Sequence, residues 1–285
     1  MTELILHTST QQKINSLKIK SPHALLLVGP AGIGKGSVAT YIAETLLNLK
    51  RGEAEHYTYF RRIVPTDKNS IGIDEVREIE YALALKVPTT KHIARVIVIE
   101  NAHLLTVEAQ NALLKTLEEP PSDTVIILTA SLEHNLLTTI RSRAQTLAIQ
   151  KPTQEALRSY FTNQFSDDLI DQHIMLSGGL PGMLSALLNN DNEHPIVIAL
   201  SKARELLQKN SYERLLMVDN LSKQKSFTYD ICEILVHMAD VALTKSSGPS
   251  FVKWKNVLTL AHNAQLQLLA NAQPKLVLTH LMLEL

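Results

Sequence analysis

The sequence predicts an α/β domain built on a parallel sheet, followed by a region made only of helices. Three observations carry that prediction. Short, continuous apolar runs alternate with helix-period segments over residues 1–150. One of those runs leads directly into a glycine-rich loop, "GPAGIGKG" (residues 29–36), and then into a helical pattern. After Gln150 no further strand-like run bounded by turn residues occurs.

Taken in order, "HALLLVG" (23–29) reads as a buried parallel strand ending in glycine. Val38, Tyr41, Ile42, Thr45 and Leu46 then recur at helical spacing. Residues 49–66 read as polar and irregular, and "IDEVREIEYALAL" (73–85) returns to helical period. "ARVIVIE" (94–100) is a second buried strand with an acid at its end. Leu105, Ala109, Leu113 and Leu117 mark a helix face, which Pro120-Pro121 ends because proline cannot continue the hydrogen-bond ladder. "TVIILTA" (124–130) is a third strand and "QTLAI" (145–149) a fourth. Residues 151–190 read as short helices, "NNDNEHP" (189–195) as a linker, and 196–285 as helical throughout.

The chain of 285 residues is 45% apolar, with Lys+Arg and Asp+Glu both at 28. Zero net charge argues against a protein that lives by bulk attraction to nucleic acid. Aromatics at 5% favour helices and a buried parallel sheet over a β-sandwich. The single cysteine, Cys232, excludes a disulfide within the chain, which fits a cytoplasmic protein, and it reads as a small buried apolar residue. No signal-peptide core and no membrane span are expected.

The loop carries the chemistry. A strand, then G-x-x-x-x-G-K, then a helix is the setting of a phosphate cradle. Gly29, Gly32 and Gly34 let backbone N–H groups face one concavity, and Lys35 would reach the outer phosphates. The next position normally gives a hydroxyl to the Mg²⁺ bridging the phosphates, and here it is Gly36. Ser37 lies one helical step away, about 100° around the axis, and does not replace it. At the end of the second strand Glu100 keeps a carboxylate, but Asn101 stands where a general base would, and an amide is not basic near neutral pH. ATP with Mg²⁺ is thus the candidate ligand of a weakened site. Retained binding and lost binding are both compatible with these residues.

The order and spacing of "AHLLTVEAQNALLKTLEEPP", "TVIILTAS" and "LLTTIRSRAQ" resemble the clamp-loader branch of the AAA+ proteins, closest to the delta-prime subunits of bacterial DNA polymerase III. "SPHALLLVGPAGIGKGSVA" and "GIDEVREI" also match, and "LSGGLPGMLSALL" resembles the lid of that family. The likeness covers residues 20–190 and fades beyond them. It implies an AAA+ P-loop module (1–150), a helical lid (151–190) and a helical, collar-type oligomerisation domain (191–285). It implies a subunit of a heteropentamer that loads a sliding clamp on primed DNA without hydrolysing ATP itself. Arg143 would be an arginine finger acting in trans on the neighbouring subunit's nucleotide, with Ser142 and Ala144 beside it. Thr129 falls near the family's first sensor, and Met183 stands where the second commonly has arginine. The four-cysteine zinc module of many relatives is missing from residues 49–66, so no zinc is expected. His56 alone cannot hold a metal; His7, His92, His103 and His134 read as structural or surface histidines, Arg141 as structural, and Lys115 as a weak candidate for touching DNA. A working ATPase motor and an interaction module with a vestigial site are the competing readings.

Overall fold

The computed structural model describes residues 4–17, 19, 21–65, 70–84, 87, 92–131, 136–270 and 272–285. His134, Leu85 and Thr66, which the sequence reading includes in its segments, lie outside the described residues. The chain divides into two compact units, Met1–Pro152 and Thr153–Leu285.

The first unit runs α1 (Thr8–Leu17), β1 (Ala24–Val28), α2 (Lys35–Leu47), β2 (Phe60–Ile63), α3 (Ile73–Ala84), β3 (Arg95–Ile99), α4 (Val107–Glu118), β4 (Thr124–Ala130), α5 (Thr138–Arg141) and β5 (Gln145–Ala148). Its five strands are parallel in the order β2-β3-β4-β1-β5. β3 and β4 are buried along their whole length, as continuous apolar runs in a parallel sheet must be. One face of the sheet packs against α3 and α4 through Val76, Ile79, Ala109, Leu113 and Leu117, with Leu105 of the preceding turn beside them. α2 packs against β1, β3 and β4 with Val38, Ala39, Ile42 and Leu47 buried. Because every strand runs the same way, the residues that follow β1 and β3 emerge at one edge, where ligands of open α/β sheets bind.

Two elements depart from the sequence reading. α1 forms near the start, with Ile14 and Leu17 buried. The stretch 49–66, read as irregular, contains a 3-10 turn at Ala54–His56 and the edge strand β2. Its sequence, Phe60-Arg-Arg-Ile63, lacks an apolar run because an edge strand needs only partial burial. Phe60 is buried, and the register pairs it with Val96.

The second unit is helical: α6 (Gln154–Phe161), α7 (Asp167–Ser177), α8 (Pro181–Leu188), α9 (Pro195–Gln208), α10 (Ser211–Leu221), α11 (Lys225–Leu243), α12 (Gly248–Leu269) and α13 (Pro274–Glu284). Gly178, in the left-handed region at φ 55°, ends α7, and Pro181 opens α8 at its first turn. α10 begins with a complete capping box between Asn210 and Glu213. Cys232 is fully buried in α11, and burial pushes its thiol up to about 12, so it is inert as a nucleophile. Among the described residues no helix is long and apolar enough to cross a membrane.

Candidate nucleotide-loop site

β1 delivers the chain into the loop at the edge of the sheet. The Gly29 N–H donates to the Ala130 carbonyl at 3.3 Å, which ties the start of the loop to the end of β4. Gly32 (φ 80°) and Gly34 (φ 90°) lie in the left-handed region that residues with a Cβ rarely adopt. At Gly34 nothing would crowd a Cβ, so the dihedral angle alone explains that glycine. Lys35 begins α2 and is 8% exposed. Its Nζ donates to the Gly29 carbonyl at 2.8 Å and to the Pro30 carbonyl at 3.1 Å. The ammonium is thus turned onto carbonyls of its own loop.

The other half of the site follows β3. The Glu100 N–H donates to the Ile63 carbonyl of β2 at 2.8 Å. Its carboxylate Oε1 accepts from Arg62 Nη1 at 2.8 Å. Arg62 Nη2 reaches the Thr40 hydroxyl at 2.5 Å and also pairs with Glu55. Thr40 in turn donates to the Gly36 carbonyl at 3.0 Å. A Cβ at Gly36 would stand only 2.6 Å from Glu100 Oε1 and 3.1 Å from both Cδ and Oε2.

Asn101 adopts φ 51°, a left-handed conformation that asparagine tolerates better than most residues. Its backbone N–H donates to the Thr129 hydroxyl at 3.0 Å. Thr129, 1% exposed, therefore fixes the turn that follows β3. Asn101 then caps a 3-10 turn over Ala102–Leu104. Within it His103 is pushed down to about 4, first by burial and second by the charge of Lys35, so it is neutral at pH 7. The loop thus brings Lys35, Gly36, Glu100, Asn101, Thr129 and His103 into one neighbourhood, with Arg62 as a member the sequence reading missed. In "FRRI" nothing distinguishes Arg62 from Arg61. Only the strand register separates them.

Arg143 lies elsewhere, just past α5. Its Nη1 donates to the Thr139 carbonyl at 2.9 Å and the Ser142 hydroxyl at 3.3 Å, and its Nη2 to Glu118 at 2.6 Å. The Arg143 side chain is 33% exposed and Glu118 50%. None of these partners belongs to the loop 29–36. Ala144 is buried in the sheet's core cluster, whereas Ser37 and Lys115 are exposed and Arg141 is half-buried. Met183 is fully buried within the second unit. His7 shares a hydrogen bond with Ser9, and His92 is exposed. Among the described residues no group of three His, Cys, Asp or Glu side chains is placed to hold a metal.

With this geometry in place, the profile of the family "DNA polymerase III, delta subunit" matches residues 6–153, just over half the chain. The chain belongs to that family. Among similar proteins is the DNA polymerase III subunit delta' of Pseudomonas aeruginosa, 33% identical over 56% of this chain and 53% of its own length. The same subunit of Escherichia coli is 31% identical over 60% of this chain and 55% of its own length. The matched region thus spans about half the length of these members of the delta subunit family. A DNA polymerase III gamma subunit-related protein of Thermotoga maritima superposes with TM-score 0.53 and 19% identity, covering 96% of this chain and 97% of its own. That likeness is one of fold and runs over the residues of both units.

A loop of this type implies a nucleotide with a bridging divalent cation. The residues at this site do not fit the cation. Gly36 offers no hydroxyl, and the Glu100 carboxylate that lies against it already holds a guanidinium.

Proposed function

We propose that this chain is a delta-prime-type subunit of a bacterial clamp loader that does not turn over ATP itself. It contributes a wall of a heteropentameric ring that places a sliding clamp on primed DNA, and it supplies Arg143 to the neighbouring subunit's nucleotide. The observation that carries this reading is the absence of a base at its own loop. Asn101 is an amide used for its backbone conformation, and Glu100 is spent on Arg62. Membership in the DNA polymerase III delta subunit family supports the assembly.

Arg143 suits the finger role. A guanidinium is always charged and offers five donors, of which three hydrogen bonds are made within the chain. Its partner Glu118 is exposed and Arg143 itself half-buried, and surface pairs contribute only about 0–1 kcal/mol, so a phosphate can draw the arginine away. Residues 151–190 act as the lid and 191–285 as the collar that joins the ring, and the assembly works in the cytoplasm. Zero net charge fits a member whose hold on DNA comes from the whole ring.

The test is the DNA-stimulated ATPase of the complex reconstituted with its other subunits. Arg143→Ala should slow hydrolysis at the neighbouring site by about 10³-fold, the lower range for an arginine finger. An unchanged rate overturns the reading. The chain alone should show no turnover that Lys35→Ala removes.

A further inference from the structure

The mismatch between this loop and a divalent cation has a specific structural basis. We propose that Gly36, Glu100 and Arg62 form a matched set in which the Arg62 guanidinium takes the place of the bridging cation. The glycine is then required by the carboxylate, and the loop shuts out divalent-metal nucleotide. The inference rests on reading residues 29–36 as a P-loop. It does not depend on the role proposed for Arg143.

The geometry assembles from two periodicities. Gly36 and Thr40 are i and i+4 on α2, so they share one helix face. Arg62 of β2 pairs with Val98 of β3, so Glu100, two residues further on, is its diagonal neighbour on the same face of the sheet. The contacts then close into a ring. Arg62 grips Glu100 with one nitrogen and Thr40 with the other. Thr40 bonds the Gly36 carbonyl, and the Glu100 carboxylate lies against Gly36 where a side chain would begin.

A carboxylate is the far end of a flexible side chain and ordinarily yields to a small clash. Here it does not swing freely. Its Oε1, the atom nearest Gly36, is the one that accepts from Arg62 Nη1 at 2.8 Å. Displacing its charge would leave Arg62 with Glu55 as its remaining carboxylate, and Glu100 is the more buried of the two. A cation at this carboxylate would have to expel the guanidinium or lie beside its like charge. Gly36 is the second residue of α2, and glycine is a poorer helix former than serine or alanine. Propensity therefore gives no reason for glycine at this position. The carboxylate explains the exception.

A thermal cycle on the full chain tests the set without any ligand. Helix propensity alone would make G36S neutral or stabilising. The clash should instead lower the melting temperature by about 5 °C. In an E100D background, where the shorter arm withdraws, G36S should cost nothing; E100A serves as a second background. A G36S protein as stable as the parent overturns the proposal, and so does an equal loss with and without Glu100. Calorimetry with ATP adds a second reading. The parent should bind ATP no better with MgCl₂ than with EDTA, and affinity that rises with Mg²⁺ overturns the cation-replacement claim. Neither measurement needs a partner subunit, so failure here is separate from failure of the ring reading.

Discussion

His103 is a neutral imidazole enclosed beside a lysine, and that makes it a pH-sensitive element of stability. Burial and the charge of Lys35 lower it to about 4 from the ordinary 6.5. Between those values the unfolded chain binds a proton that the folded chain refuses. Stability is therefore full above pH 6.5 and declines as pH falls toward 4, by up to about 1.4 kcal/mol per pH unit. We expect His103→Gln to flatten this part of the profile. The measurement is urea unfolding at pH 5 and 7.5 for both proteins, compared as a difference because carboxylates also begin to titrate near the lower pH. Equal slopes would remove His103 from the account. Other residues are legible in the sequence itself. Lys35, Gly36 and Asn101 announce themselves because each replaces or completes a known chemical role at a fixed spacing. Arg62 did not, since its partner Glu100 is 38 positions away and only strand register brings them together.

At the scale of elements, the strands buried on both faces were readable and the edge strand was not. β3 and β4 are unbroken apolar runs because helices cover both faces. β2 has one buried anchor, Phe60, with Ile63 packed on the core at partial burial and Arg62 turned to its pair with Glu100, so its pattern resembles a loop. That anchor is open to test. Phe60→Ala should cost about 3–5 kcal/mol, as for other buried phenylalanines. Because β2 carries Arg62, the same substitution should loosen the grip on Glu100. In a G36S background, part of the clash should then be relieved. Hydrogen exchange can follow this directly. The Glu100 amide, bonded to the Ile63 carbonyl, should lose protection in Phe60→Ala before the amides of β4 do. Equal loss across the sheet would mean that β2 is not a separable edge.

At the scale of the whole molecule, the chain consists of two units that meet in sequence at Pro152-Thr153. Among the described residues, all five strands of the sheet belong to the first unit. β5 closes the sheet at Ala148, and the Gln150 N–H is tied back to the Thr10 hydroxyl of α1 at 3.2 Å. Thr153 already serves the other side, since its hydroxyl accepts from the Ala156 N–H and caps α6. A cut after Pro152 therefore leaves each unit its own caps and core, as a domain boundary should. We expect residues 1–152 to express as a folded unit with a single cooperative thermal transition. The G36S loss and its relief by E100D should reproduce in that fragment, because every member of the set lies within it. A fragment that melts without cooperativity would show that the α/β unit needs the helical one to fold. A fragment that folds but no longer feels G36S would place the strain outside the loop.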